Sequence, residues 1–277
     1  MRHLRSLALS GVSLLVTACG GAGLEPISDE VTSEPSFEAF RATAYDEPDS
    51  DVFTVNGDEA VEGEAGLREY FDTYVRTKGL GTSEEPLTAY CINSVRVKWS
   101  TTAARNITYC VSNTFGSLYP QVVSALNAAT ADWEATANVD FIHLSQYDTS
   151  CTASQAGVVF DVRMVSTGGI YAARSFFPNA TRATRSLLID TTAFGTTWQP
   201  WTLTGIIRHE LGHVLGFRHE FVRYSPVRCY EADYASSCYL TSYDSYSVMN
   251  YPQCGGTNTG DLVLSYSDKQ GARAYYP

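Results

Sequence analysis

An α+β fold is what this 277-residue sequence predicts. Three observations carry that expectation. Five short runs rich in β-formers accompany two segments whose apolar residues recur at helical spacing. The stretch from Phe217 to about Leu262 shows no long periodic run and holds three cysteines. The charge also sits in one place. The formal net charge is −11, yet residues 25–90 carry 17 Asp/Glu against 4 Lys/Arg, a net of −13. Residues 91–277 carry 13 of each, and Arg2 and Arg5 complete the sum. Such an asymmetry marks a domain boundary.

The first element is not part of the fold. Arg2 and Arg5 precede "LALSGVSLLVTA", which reads as an export signal. It ends in "VTACGG", which resembles the lipobox of bacterial lipoproteins. That resemblance implies a signal over 1–18, Cys19 as the lipidated mature N-terminus, and a membrane held through acyl chains without a spanning helix.

Residues 19–88 follow as an acidic tether and prosegment. The opening "LEPISDEVTSEPS" is polar and Pro/Ser-rich, as a disordered tether would be. The later "DVFTVNGDEAVEGEAGLREYFDTYV" is foldable: a short strand leads into a helix with Leu67, Tyr70, Phe71 and Tyr74 at helical spacing. One reading is a solvated acidic linker; the other is a cover over a catalytic cleft. No basic patch stands out, so nucleic acid is not expected as a partner.

The third region, 89–277, begins with the strand "NITYCVS". A long amphipathic helix follows in "YPQVVSALNAATADWEATANV", its stripe formed by Val122, Val123, Leu126, Ala129 and Trp133. "VDFIHLS", "GVVFDVRMV", "YAARSFFP" and "SLLIDTT" are four more strands. "TLTGIIRHELGHVLG" is the second long helix, with Thr202 or Thr204 as N-cap. "SYSDKQGARAYY" closes the chain as a short helix. Beyond Cys19, six cysteines remain, an even set that favours disulfides in an exported protein. They allow fifteen pairings. The favoured one is Cys110–Cys151, Cys229–Cys254 and Cys91–Cys238, with the others left open.

The chemistry lies in "HELGHVLGFRHE". On a helix turning about 100° per residue, His209 and His213 share one face, opposite the stripe of Leu203, Ile207, Leu211, Val214 and Leu215. Two imidazoles at i and i+4 suit two metal ligands. Glu210 sits beside them, placed to take a proton from water without itself being a ligand. Gly216 permits positive φ, so the helix can end and His219 can return to the same metal. Three imidazoles with one open position make a catalytic zinc site, whereas structural zinc usually has a fourth protein ligand.

The full H-E-x-x-H-x-x-G-x-x-H pattern, with Met249 in "SYSVMNYP" thirty residues after His219, resembles the metzincin endopeptidases. The resemblance covers most of residues 105–277. It implies a twisted, mostly parallel five-stranded sheet with two long helices above an irregular lower subdomain, and a C-terminal helix. It implies one catalytic Zn2+, Glu210 as general base, Met249 as an apolar floor, and protein or peptide substrates. "GFRHE" and "SVMNY" resemble the astacin branch, in which a tyrosine placed like Tyr251 helps stabilise the transition state. "ITYCV", "VDF", "GGIYAARSFFP" and "LSYSDKQGARAYYP" resemble matrixins, although their histidine near Ala173 and their aspartate-rich metal loop are missing. A second zinc or calcium is therefore not expected. Astacin prosegments block zinc with the aspartate of F-x-G-D; "FTVNGD" offers Asp58, with its phenylalanine two residues too far away. Glu220 matches an astacin glutamate that pairs with the new N-terminus, or makes a surface ion pair. His143 reads as a core or edge histidine. The expected protein is a monomeric zymogen of the bacterial cell envelope, or extracellular after cleavage. The rival is a surface binding lipoprotein with a structural zinc.

Overall fold

A computed structural model describes residues 36–48, 50–76, 87–223, 229, 237–258 and 260–277. The expected signal and Cys19 lie outside the described residues. Those described belong to one compact unit, Pro35–Pro277.

The acidic segment folds. Ser36 caps α1 (Phe37–Arg41) by accepting from the Ala39 amide. Strands β1 (Tyr45–Asp46), β2 (Val52–Val55) and β3 (Glu59–Glu62) form an antiparallel sheet in that order. Helix α2 (Gly63–Tyr70) follows and widens into a π-turn over Phe71–Val75. The sequence reading expected one strand before the helix; the structure has a hairpin. Asn56 and Gly57 take φ of 54° and 101°, which lets the chain reverse between Val55 and Glu59. Phe37, Phe40, Phe53, Leu67 and Phe71 bury one another in a small core of their own.

The larger part is built around five strands. After β4 (Thr88–Ile92), β5 (Val95–Arg96) and the short α3 (Thr101–Ala104) come β6 (Ile107–Val111), α4 (Tyr119–Glu134), β7 (Phe141–His143), β8 (Phe160–Val165), β9 (Ala173–Arg174) and β10 (Ser186–Asp190). The sheet order is β7-β6-β8-β10-β9. Only β9 runs antiparallel, at one edge. Every residue of β10 is buried, as expected for a strand inside a covered sheet. The five strands read from the sequence are these five, and the α+β class holds.

Helices α4 and α5 (Leu203–Val214) pack together over the core. Trp133 of α4 donates from its indole to the Arg208 carbonyl at 3.0 Å and stacks on Phe217. Arg208 reaches back to Asp132 at 2.7 Å. Thr202, not Thr204, caps α5. After β11 (Ser237–Tyr239), α6 (Tyr266–Tyr275) begins with a reciprocal capping box between Ser265 and Asp268. The three favoured disulfides all form, and Cys91–Cys238 ties β4 to β11. No helix among the described residues is long and apolar enough to cross a membrane.

Candidate metal centre

Helix α5 supplies the first two histidines. His209 and His213 point to one side, and each ring is fixed from behind. The Nδ1 of His209 lies 2.7 Å from the Val248 carbonyl, and that of His213 2.7 Å from the Phe217 carbonyl. A carbonyl only accepts, so Nδ1 carries the hydrogen and Nε2 of the neutral ring presents a lone pair. The helix then stops at Gly216, whose φ is +96° and whose missing Cβ makes room for the Val97 carbonyl. Its N–H closes on the His213 carbonyl at 2.8 Å. The turn brings His219 back to the pair: the Nε2 atoms of His209 and His219 are 3.2 Å apart.

The loop that follows is pinned from two sides. The Glu220 amide donates to the Met249 carbonyl at 2.8 Å. Buried Asp268 accepts from Ser247 Oγ and the Val248 amide, at 2.6 and 2.8 Å. Met249 is thereby buried against Gly212, where any side chain would collide with its sulfur. Glu220 is also fully buried, accepting from Thr88 Oγ1 at 3.0 Å and the Asp244 amide at 3.2 Å. This corrects its reading as a surface ion pair.

Asp58, at the tip of the β2–β3 hairpin, closes the cluster. Its Oδ2 lies 3.3 Å from His209 Nε2 and 3.2 Å from His219 Nε2; its Oδ1 lies 3.5 Å from His213 Nε2. The Tyr251 hydroxyl also donates to Oδ2, and its ring packs 4.6 Å from that of His219. Among the described residues these four, Asp58 and the three histidines, form the one group able to hold a metal ion, with ligand atoms within 4.8 Å of one another. Asp58 Oδ1, His213 Nε2 and Glu210 Oε2 are buried without a hydrogen-bond partner. Lone pairs and a carboxylate converging in a buried site call for a cation. Nitrogen and oxygen donors in this number fit zinc.

The electrostatics follow. Burial pushes the Asp58 carboxyl up, but the neighbouring His219 and His213 outweigh it electrostatically and hold it well below the usual range. Burial, reinforced by the Asp58 charge, holds Glu210 well above its usual range. Burial lowers His213 to about 4 against the pull of Asp58. A cavity opens beside Glu210, walled by Tyr171, Trp198, Trp201, Ile206, Tyr251 and Leu262.

The structure therefore gathers His209, Glu210, His213, His219, Met249, Tyr251 and Asp58 around one point, with Gly216 at the turn. His143, outside the cluster, stacks on Tyr109 and meets Asp148 at 3.1 Å. Sequence reasoning missed two buried arginines that meet the segment: Arg174, paired with Glu47 at 2.6 Å, and Arg218, 3.7 Å from Glu59. The signal was present in the charge imbalance, since acidic residues that fold against a neutral partner seek its buried cations.

Comparison with known proteins adds the following. No curated protein matches the chain. The solved "Structure of myroilysin" is 18% identical, covers 69% of this chain and 98% of that one, with a TM-score of 0.45. The family model for matrixin matches residues 98–251, which run from just before α3 through the third histidine to Tyr251, and the chain thus belongs to the matrixin family of metallopeptidases.

Proposed function

We propose that the chain is a zinc endopeptidase made as a zymogen. His209, His213 and His219 hold one zinc, Glu210 is the general base, and residues 19–88 are tether and prosegment ahead of a catalytic domain over 89–277. The observation that carries this reading is the meeting of three imidazole Nε2 atoms beside a buried, unpartnered Glu210 oxygen. The chemistry such a zinc supplies is polarisation of the scissile carbonyl and a lowered pKa for water.

The chain's own residues do the rest. Glu210 takes a proton from the attacking water and hands it to the leaving amine, a role suited to a carboxyl whose pKa burial has raised. The Tyr251 hydroxyl, once released from Asp58, donates to the developing oxyanion. Met249 supports the histidines from below without ligating. An extended substrate lies along β9. Asp58 takes the open position and keeps the zymogen silent. Lipid on Cys19 anchors the precursor to the cell envelope, and cleavage of the segment releases the enzyme; the three disulfides fit such an oxidising compartment.

The test is casein cleavage by the full chain and by a chain trimmed near residue 88, each with and without Glu210→Ala. The trimmed protein should cut, and Glu210→Ala should reduce that by roughly 10²- to 10⁴-fold. Both should hold about one zinc, as a three-histidine site requires. Zinc in every form with no cleavage of casein or a broad peptide library would sink the protease reading and favour a binding lipoprotein.

A further inference from the structure

Arg174 lies on β9, the edge strand, next to Ala173, which lines the cavity beside Asp58 and Glu210. It is only 2% exposed. One end of its guanidinium is fixed from within the larger part: Nη1 donates to the Ser186 carbonyl at 2.9 Å and lies 3.5 Å from that of Thr184. The other edge, Nε and Nη2, faces the acidic segment. It grips both carboxylate oxygens of Glu47, at 2.6 and 2.8 Å. Thr54 steadies Glu47 from the segment's own side at 2.9 Å. This is the fork geometry by which arginine recognises a carboxylate.

The segment also sits on the strand that borders the histidines. The Ser175 amide donates to the Asp58 carbonyl at 2.9 Å, and Glu59 bridges Ser175 in parallel register. The carboxylate in the fork, Glu47, comes from between β1 and β2 rather than from this Asp58–Glu59 stretch, and a carboxylate of a polypeptide that replaces the segment would find the same fork. Its orientation does not depend on Glu47, because the two carbonyls holding Nη1 belong to the larger part. Departure of Glu47 leaves a buried guanidinium without that counter-charge, which is costly until another carboxylate takes the place.

We propose that Arg174 is a specificity-determining residue that receives an acidic side chain of the substrate, and that Glu47 occupies this receptor in the present structure. The proposal rests on the protease reading and names the substrate class: chains carrying Asp or Glu on the stretch that lies along β9.

The experiment uses the full chain, processed by limited proteolysis until it cleaves a mixed peptide library. Glu/Gln pairs are then compared at each position around the cut. One position should favour Glu by on the order of 10- to 100-fold in kcat/KM, the worth of a charge-assisted bidentate pair. Arg174→Gln should bring that ratio near one. Arg174→Lys, which keeps the charge but not the fork, should leave it in between. Cleavage by the parent with no acidic preference at any position overturns the proposal without any variant having to fold. A Glu preference that survives Arg174→Gln overturns it too. Absence of cleavage of every peptide removes the protease reading, and this proposal falls with it.

Discussion

The two parts that meet at the histidine cluster are held together in different ways. Residues 87–277 have a large core running through the five-stranded sheet, α4 and α5, and carry the three disulfides. Residues 36–76 have a small aromatic core of their own. Beside a Tyr45–Tyr171 ring contact and a backbone bond to Ser175, the segment meets the larger part through carboxylates: Glu47 on Arg174, Asp58 on the histidines and Tyr251, and Glu59 near Arg218. An apolar core resists dissection, whereas ionic contacts between preformed surfaces can be parted and replaced by water or by another anion. Under the proposed function, the larger part persists and the segment is the part that is exchanged.

The strongest way to break this comparison is to empty the small core. Leu67 is fully buried there, and Leu67→Ala should cost about 2–5 kcal/mol. If the parts are independent, calorimetry should show an early transition for the segment and an unshifted main transition. Leu126→Ala, in the large core, should lower the main transition by a similar energy. A single transition lowered equally by both would show one cooperative body.

A smaller effect is expected at the contact itself. Asp58→Asn removes a charge from the cluster while keeping the shape. The full chain should then cleave casein about 10- to 100-fold faster than its parent, the value of one lost charge-assisted contact. Unchanged silence, with zinc still bound, would place the block elsewhere in the segment.

The smallest effect concerns the larger part alone. Asp190, at the end of β10, accepts from Thr192 N at 2.8 Å and from Thr167 Oγ1 at 2.8 Å. Burial pushes its carboxyl up, but these bonds outweigh it and hold the pKa below the ordinary value. A depressed folded pKa gives stability that is present above the unfolded pKa, about 3.9, and lost as pH falls through the folded one. Asp190→Asn should therefore cost about 1–2 kcal/mol at neutral pH, and the gap to the parent should close below about pH 4. Thermal melts across pH measure this, and a gap that widened in acid would contradict it.

The spacing of residues was enough to read much of the molecule. Five strands, two long helices and a short closing helix follow from local periodicity, which is a property of neighbours along the chain. The i, i+4 histidines and Gly216 were legible for the same reason, because a helix face and a positive-φ turn are local. The hairpin at Asn56–Gly57 was only half read: one strand was expected before the helix, but not its antiparallel partner. Of the two readings of Glu220, the surface ion pair failed because its burial depends on Thr88 and Asp244, far from it in sequence.

By itself, then, the sequence determined the element types, the metal-ligand pattern and the unequal charge, since each is written in residue identity and short-range spacing. Resemblance offered Asp58 for the histidine cluster, but tertiary structure alone decided that Glu47 meets Arg174 and that Glu59 approaches Arg218. Asp58 reaches residues more than 150 positions away, and Glu47 meets Arg174 across 127. No local period encodes such pairs; they exist because folding removes both partners from water, and a buried charge must then find its opposite.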